Sequence, residues 1–155
     1  MTPDAEYLND LLVEAYSSIL KIEEQNVAKA TSLNLSISEI HLIEAIEKNT
    51  QEDNKGKTIS ELSEILKITL PSVTLAINKL VKKGYVTKTR SEEDGRVIFV
   101  NLTDRGKKVA RVHRHFHRCM VEAVVKDLSD EEFRAMVSGL VKLNKFLNEK
   151  IQREE

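Results

Sequence analysis

TISELSEILKITLPSVTLAINKLVKKGYVTKTRSEEDGRVIFVNL, residues 58–102, is the stretch whose reading decides the fold. Ile59, Leu62, Ile65 and Leu66 recur at helical spacing, with Glu61 and Glu64 facing outward, which predicts a short first helix. Lys67 and Ile68 close it. Thr69 is placed to cap a second helix, and Pro71 falls in that helix's first turn, where its missing N–H costs nothing. Val73, Ile77, Leu80 and Val81 make one apolar stripe, and Gly84 supplies the stop. Ser72, Thr74, Leu75, Asn78, Lys79 and Lys82 lie off the stripe. A helix with one buried face and small polar and basic residues opposite can sit on a core while it enters a DNA groove.

A hairpin follows at once. Residues 86–90 alternate, Glu92-Glu93-Asp94-Gly95 turns, and residues 97–102 return as a β-branched and aromatic run. Lys88, Arg90 and Arg96 make this hairpin basic. Each piece alone would also suit a small αα-hairpin on a β-ribbon with solvated charges. Two helices and a basic hairpin in this order, at these short spacings, predict a winged helix–turn–helix. The expected fold is mainly α with a small β-wing, and the expected partner is double-stranded DNA. The DNA-contacting candidates are Ser72, Thr74, Asn78, Lys79, Lys82, Lys88, Arg90, Asp94 and Arg96.

Residues 62–102 resemble the multiple-antibiotic-resistance-regulator (MarR) family of transcription factors. The resemblance is strongest over Ser91-Glu92-Glu93-Asp94-Gly95-Arg96-Val97 and over Leu102-Thr103-Asp104-Arg105-Gly106. It implies that Arg96 reaches the minor groove from the wing tip while Asp94 holds its guanidinium. A planar cation on a tight turn fits a narrow, strongly negative groove.

The charge supports this assignment once it is divided along the chain. The 155 residues carry a net charge of −1, yet residues 55–114 hold 14 Lys and Arg against six Asp and Glu. The rest holds 10 basic and 19 acidic residues. Neutralising phosphates is the business of the basic segment. With 41% hydrophobic and 32% charged residues, the composition is that of a single soluble domain with a proper core. The single cysteine, Cys119, precludes an intramolecular disulfide and fits a reducing cytosol. The acidic, polar N-terminus lacks a signal-peptide profile, and no apolar run reaches membrane-spanning length, so a cytoplasmic protein without a membrane partner is expected.

The flanks are helical. Leu8, Leu11, Leu12, Ala15, Ile19 and Ile22 share one face of a helix over 4–30. Ser36 and Glu39 have capping-box spacing for a helix that turns Ile40, Ile43 and Ile46 inward. Residues 49–57 read as a polar loop. Thr103 and Asp104 cap a helix to about residue 127, with Val109, Val112, Phe116, Met120 and Val124 on its apolar side. Ser129 and Glu132 open a last helix, whose stripe is Phe133, Met136, Val137, Leu140, Leu143, Leu147 and Ile151. The resulting organisation is one MarR-type domain, with a winged lobe over 36–102 and dimerisation helices over 4–30 and 103–152. Those terminal helices carry more apolar surface than one small lobe can cover, and the family resemblance implies that they intertwine in a homodimer. Two recognition helices about one DNA turn apart then require a near-palindromic operator.

Nothing here assembles an enzyme: no Gly-rich phosphate loop, no Cys-x-x-Cys and no nucleophile with a base and an orienter, so no catalytic residue is assigned. Two effectors fit a regulator. Ile22-Glu23-Glu24 with Asn26, the wing, and His113-Arg114-His115-Phe116-His117-Arg118-Cys119-Met120-Val121-Glu122 are similar to the fatty-acid-biosynthesis repressor (FabT) branch of the family. That resemblance implies an acyl chain on acyl carrier protein as corepressor. Ile22, Ile43, Phe116 and Met120 would line its pocket, and Arg111, Arg114 and Arg118 would meet the acidic carrier. Those apolar residues suit plain core equally well. The alternative effector is a metal. His113 and His117 have i, i+4 spacing, and with His41 and Glu23 or Glu24 they resemble the zinc-responsive adhesin-uptake branch. Paired histidines on a basic helix are more often solvated or hydrogen-bonded structural residues, so neither a metal ligand nor a cofactor is assigned.

Overall fold

The computed structural model describes residues 2–29, 34–48 and 56–153. In chain order these form α1 (Pro3–Lys29), α2 (Ile37–Glu47), β1 (Lys57–Thr58), α3 (Ile59–Leu66), α4 (Leu70–Lys82), β2 (Val86–Arg90), β3 (Ile98–Leu102), α5 (Asp104–Lys126) and α6 (Asp130–Arg153). They divide into two compact units between His113 and Arg114. Among the described residues no helix is long and apolar enough to cross a membrane.

Side chains set the boundaries of these helices. Ser36 and Thr58 each accept the N3 amide while Glu39 and Glu61 return a carboxylate to the cap amide, so both α2 and α3 open on a complete capping box. Glu61, which periodicity alone turns outward, is thereby half of a cap. Thr69 accepts the Ser72 amide at the head of α4, with Pro71 in the first turn. At the other end of α4 the Tyr85 amide reaches Leu80 and the Gly84 amide reaches Val81, both at 3.0 Å, a Schellman closure. It requires a left-handed residue, and Gly84 supplies it at φ +78°.

The core of the first unit is built from Ile40, Leu42, Ile43 and Ile46 of α2, Leu62 of α3, and Val73, Ile77 and Leu80 of α4. Leu35, Ala45, Tyr85, Val86, Val100, Val109 and Ala110 complete it. Two stripe assignments need correction. Ile65 and Val81 are exposed, because each lies at the edge of a helix whose centre line is already covered.

The hairpin registers Val86 opposite Leu102 and Arg90 opposite Ile98, one residue short of the expected start at Val97. A third strand was not foreseen. Lys57 pairs with Val100 and Thr58 with Phe99, so the sheet order is β1-β3-β2. Two residues carry no readable period, and Lys57 is buried where the sequence suggests loop. Residues 49–55 of that loop lie outside the described residues.

α5 starts where three contacts meet. Thr103 accepts the Gly106 amide at 3.2 Å, donates its hydroxyl to the Gly84 carbonyl at 2.8 Å, and gives its own amide to the Tyr85 carbonyl at 3.0 Å. Arg105 lays its guanidinium 4.3 Å from the Tyr85 ring centroid and donates to the Lys83 carbonyl at 3.1 Å. In the second unit α6 opens on its expected box, Ser129 with Glu132.

Candidate nucleic-acid interface

Burying Val73, Ile77 and Leu80 sends the opposite face of α4 outward. Ser72, Leu75, Asn78, Lys79 and Lys82 are all exposed there. Thr74 is half-buried at the edge of this face, and its hydroxyl donates to the Leu70 carbonyl at 2.8 Å. The Ser72 hydroxyl shares a 2.9 Å hydrogen bond with that of Thr69. Lys88 and Arg90 of β2 and Asp94 and Arg96 of the turn are exposed too. Lys88 Nζ bonds the Asn78 carboxamide oxygen, tying the wing to the middle of α4.

The wing tip is pinned by its own side chains. Ser91 Oγ accepts the Glu93 and Asp94 amides at 3.3 Å, and the Ser91 amide reaches the Val97 carbonyl at 2.9 Å. Asp94 Oδ1 accepts the Arg96 amide at 3.0 Å. The carboxylate therefore shapes the backbone that carries Arg96. A cation on a pre-shaped turn loses less freedom on entering a groove.

Behind this surface, Lys83 Nζ meets both oxygens of Glu39 at 2.8 and 2.9 Å. Burial pushes the Glu39 carboxyl up, but Lys83 and the Ser36 amide outweigh it and hold the group below its ordinary value. Glu61 lies low chiefly because it accepts the Thr58 amide.

The candidate ligand residues are distributed differently. Ile43 is wholly buried in the core, whereas Ile22 is exposed on α1. Arg111, Arg114 and Arg118 are exposed along α5, and Arg118 lies 3.6 Å from Glu122. In the second unit Phe116 and Met120 are half-buried, and Phe116 meets His117 edge-on at 5.0 Å.

In the first unit Glu23, His41 and His113 converge, each offering a donor atom within 4.8 Å of the others. Glu23 Oε1 lies 3.7 Å from His41 Nε2 and 3.5 Å from His113 Nε2, while His113 Nδ1 lies 2.9 Å from Glu44 Oε2. His117, paired with His113 by spacing, is not part of this trio. Of the two neighbouring carboxylates Glu23 is the one turned inward, only 4% exposed, and Glu24 faces out. Glu44 was missed. It comes from α2, far from His113 in sequence, and no local pattern links the two.

Comparison with known proteins places this architecture. Residues 27–112 match the family described as transcriptional regulator SarA/Rot. The HTH-type transcriptional regulator YpoP of Bacillus subtilis is 30% identical over 92 residues, 57% of this chain and 63% of that protein. The transcriptional regulator AdcR of Streptococcus pneumoniae is 39% identical over 71 residues, 42% of this chain and 49% of that protein. The chain thus spans about half to two thirds of the length of these relatives. The solved structure of Streptococcus pneumoniae FabT in complex with DNA is 35% identical, covers 94% of this chain and 98% of that one, and superposes with a TM-score of 0.84. A MarR protein from Peptoclostridium difficile is 25% identical, covers 94% and 92%, and gives 0.72. The family and these relatives are regulators, not enzymes. The chain belongs to the SarA/Rot family of transcriptional regulators, built on the MarR-type winged helix–turn–helix.

Proposed function

We propose that this chain is a homodimeric transcriptional repressor that binds a near-palindromic duplex and controls genes of fatty-acid synthesis in the cytoplasm, with an acyl chain on acyl carrier protein as effector. The observation that carries the DNA-binding part is the exposed row formed by Ser72, Asn78, Lys79 and Lys82 on α4 with Lys88, Arg90 and Arg96 on the wing. α4 enters the major groove, and Arg96 reaches the minor groove beside it. Thr74 at the helix edge and Asp94 behind Arg96 position these contacts. The dimer is supported by the apolar faces left open in one chain: Leu8, Leu11 and Leu12 of α1, and Met136, Val137, Leu140 and Leu147 of α6, are all about 40% exposed or more. In this reading residues 4–30 and 103–152 form the dimer and 36–102 the DNA-binding lobe.

Similarity to FabT over nearly the whole chain favours the acyl effector. Phe116 and Met120 of α5 would then line the acyl pocket, and Arg111, Arg114 and Arg118 are cations for an acidic carrier. The test is to recover genomic fragments bound by the purified protein and to titrate the tightest one with and without acyl-loaded carrier. A shift of roughly 5- to 150-fold, absent with unloaded carrier, is expected for allosteric coupling. Recovery of no fragment, or equal affinity with loaded and unloaded carrier, refutes the corresponding half.

A second reading, a zinc-responsive regulator, is favoured by the Glu23, His41 and His113 trio. Ligands about 2.0–2.1 Å from a tetrahedral ion stand ~3.3 Å apart, close to the 3.5 and 3.7 Å separations at Glu23. Glu44 on His113 Nδ1 supplies the carboxylate that orients a ligating imidazole. Under this reading His113→Ala and chelator treatment abolish effector-dependent DNA binding and lower zinc content. If both leave DNA affinity and metal content unchanged, zinc is excluded as the effector.

A further inference from the structure

We infer that Leu75 is a base-reading residue that recognises the C5-methyl group of a thymine in the major groove. The inference deepens the DNA-binding reading above and rests on it. Leu75 is 59% exposed on a helix whose Val73, Ile77 and Leu80 are fully buried. At 3.6 residues per turn it stands roughly half a turn from both Val73 and Ile77, at the centre of the outward face. A large apolar side chain in that position has no role in the core.

The polar residues around it are less free to discriminate bases than their identities suggest. The Thr74 hydroxyl donates to Leu70, the Ser72 hydroxyl is engaged with Thr69, and the Asn78 carboxamide oxygen is held by Lys88. Leu75 thus projects from the N-terminal half of α4 as the group with only a surface to offer.

What lies against it must be anionic. Residues 70–82 contain no Asp or Glu, Lys79 and Lys82 follow Leu75 one and two turns along the same face, and Lys88 of the wing reaches Asn78 beside it. An apolar protein partner would have to bury those cations, whereas a duplex neutralises them. On the major-groove edge of a duplex the apolar feature that differs between base pairs is the thymine methyl.

The experiment selects the tightest duplex from a randomised pool with the full chain, then replaces each thymine in turn by deoxyuridine, which deletes only that methyl. Affinities are read by fluorescence anisotropy at fixed salt. For the parent, replacement at one thymine in each half-site is expected to weaken binding about three- to fivefold. For Leu75→Ala the same replacement should have no effect, and Leu75→Met, which keeps an apolar tip, should remain sensitive. A selected duplex whose every thymine can be replaced without loss overturns the inference, as does an equal penalty in the parent and Leu75→Ala. Enrichment of no duplex at all overturns the DNA-binding reading itself, and the inference falls with it.

Discussion

Gly106→Ala tests whether the start of α5 is locked against the recognition unit as the structure implies. A Cβ at this position would overlap the Tyr85 carbonyl oxygen and come within 3.3 Å of Leu102 Cβ and Cδ2. The carbonyl cannot step aside cheaply, because it accepts the Thr103 amide at 3.0 Å and Tyr85 is itself fully buried. Overpacking of this kind costs about 1–3 kcal/mol. Stretching the Thr103–Tyr85 bond adds about 1 kcal/mol. Replacing a helical glycine by alanine returns up to about 1 kcal/mol. The net is a destabilisation of about 1–3 kcal/mol, or a Tm lower by roughly 3–9 °C for a chain of this size. The assay is urea and thermal unfolding followed by far-UV circular dichroism at one protein concentration. Gly139→Ala in α6 is the control, since nothing lies within 4 Å of its added Cβ. There helix propensity acts alone and stability should rise by about 0.5–1 kcal/mol. If Gly106→Ala is as stable as the parent, the close approach of α5 to Tyr85 is wrong.

Three further outcomes follow from the site. Arg96→Ala should weaken duplex binding by about 1–3 kcal/mol at fixed salt with the fold intact, and Asp94→Ala by less, about 0.5–1.5 kcal/mol, because it loosens only the turn; equal affinities in gel-shift titrations would remove the wing from the interface. Lys82→Ala should weaken specific and random duplexes alike and make the salt dependence shallower by about one unit of slope, as expected for a phosphate contact, so an unaltered slope argues against that role. Glu39 is held below its ordinary value of 4.5 in the fold, so its contribution is complete above that pH and disappears as pH falls through the lower folded value. Lys83→Met should therefore cost about 1 kcal/mol or less at pH 7 and flatten the acid limb of the stability curve below about pH 4.5, which urea midpoints across pH would reveal; a parallel, unflattened limb would deny the pair its role.

Much of this molecule is legible from short-range chemistry. Capping residues announce helix starts through hydrogen bonds made within three positions, as Ser36, Thr69 and Ser129 do here. The buried stripe of α4 follows from a side-chain period of 3.6, and the two hairpin strands are marked by β-branched residues on either side of the Asp94-Gly95 turn. The outward set of Ser72, Asn78, Lys79 and Lys82 was found as the complement of that stripe. Leu75 lies off it in the sequence, but only its exposure in the fold separates a projecting leucine from one covered by a neighbour.

What tertiary structure alone decided is long-range and pairwise. β1 exists because β3 is present to pair with Lys57 and Thr58, and two residues have no period to read. Asp94 holds the backbone amide of Arg96, an acceptor geometry that residue identities leave open. Spacing within one helix pairs His113 with His117, and the family resemblance adds His41 and Glu23 or Glu24. The fold sets His113 against Glu23 and His41, leaves His117 out of the trio and adds Glu44, because the packing of helices distant in sequence determines which donors converge. Local hydrogen bonds and periodic burial are properties of a segment; convergence is a property of how segments pack.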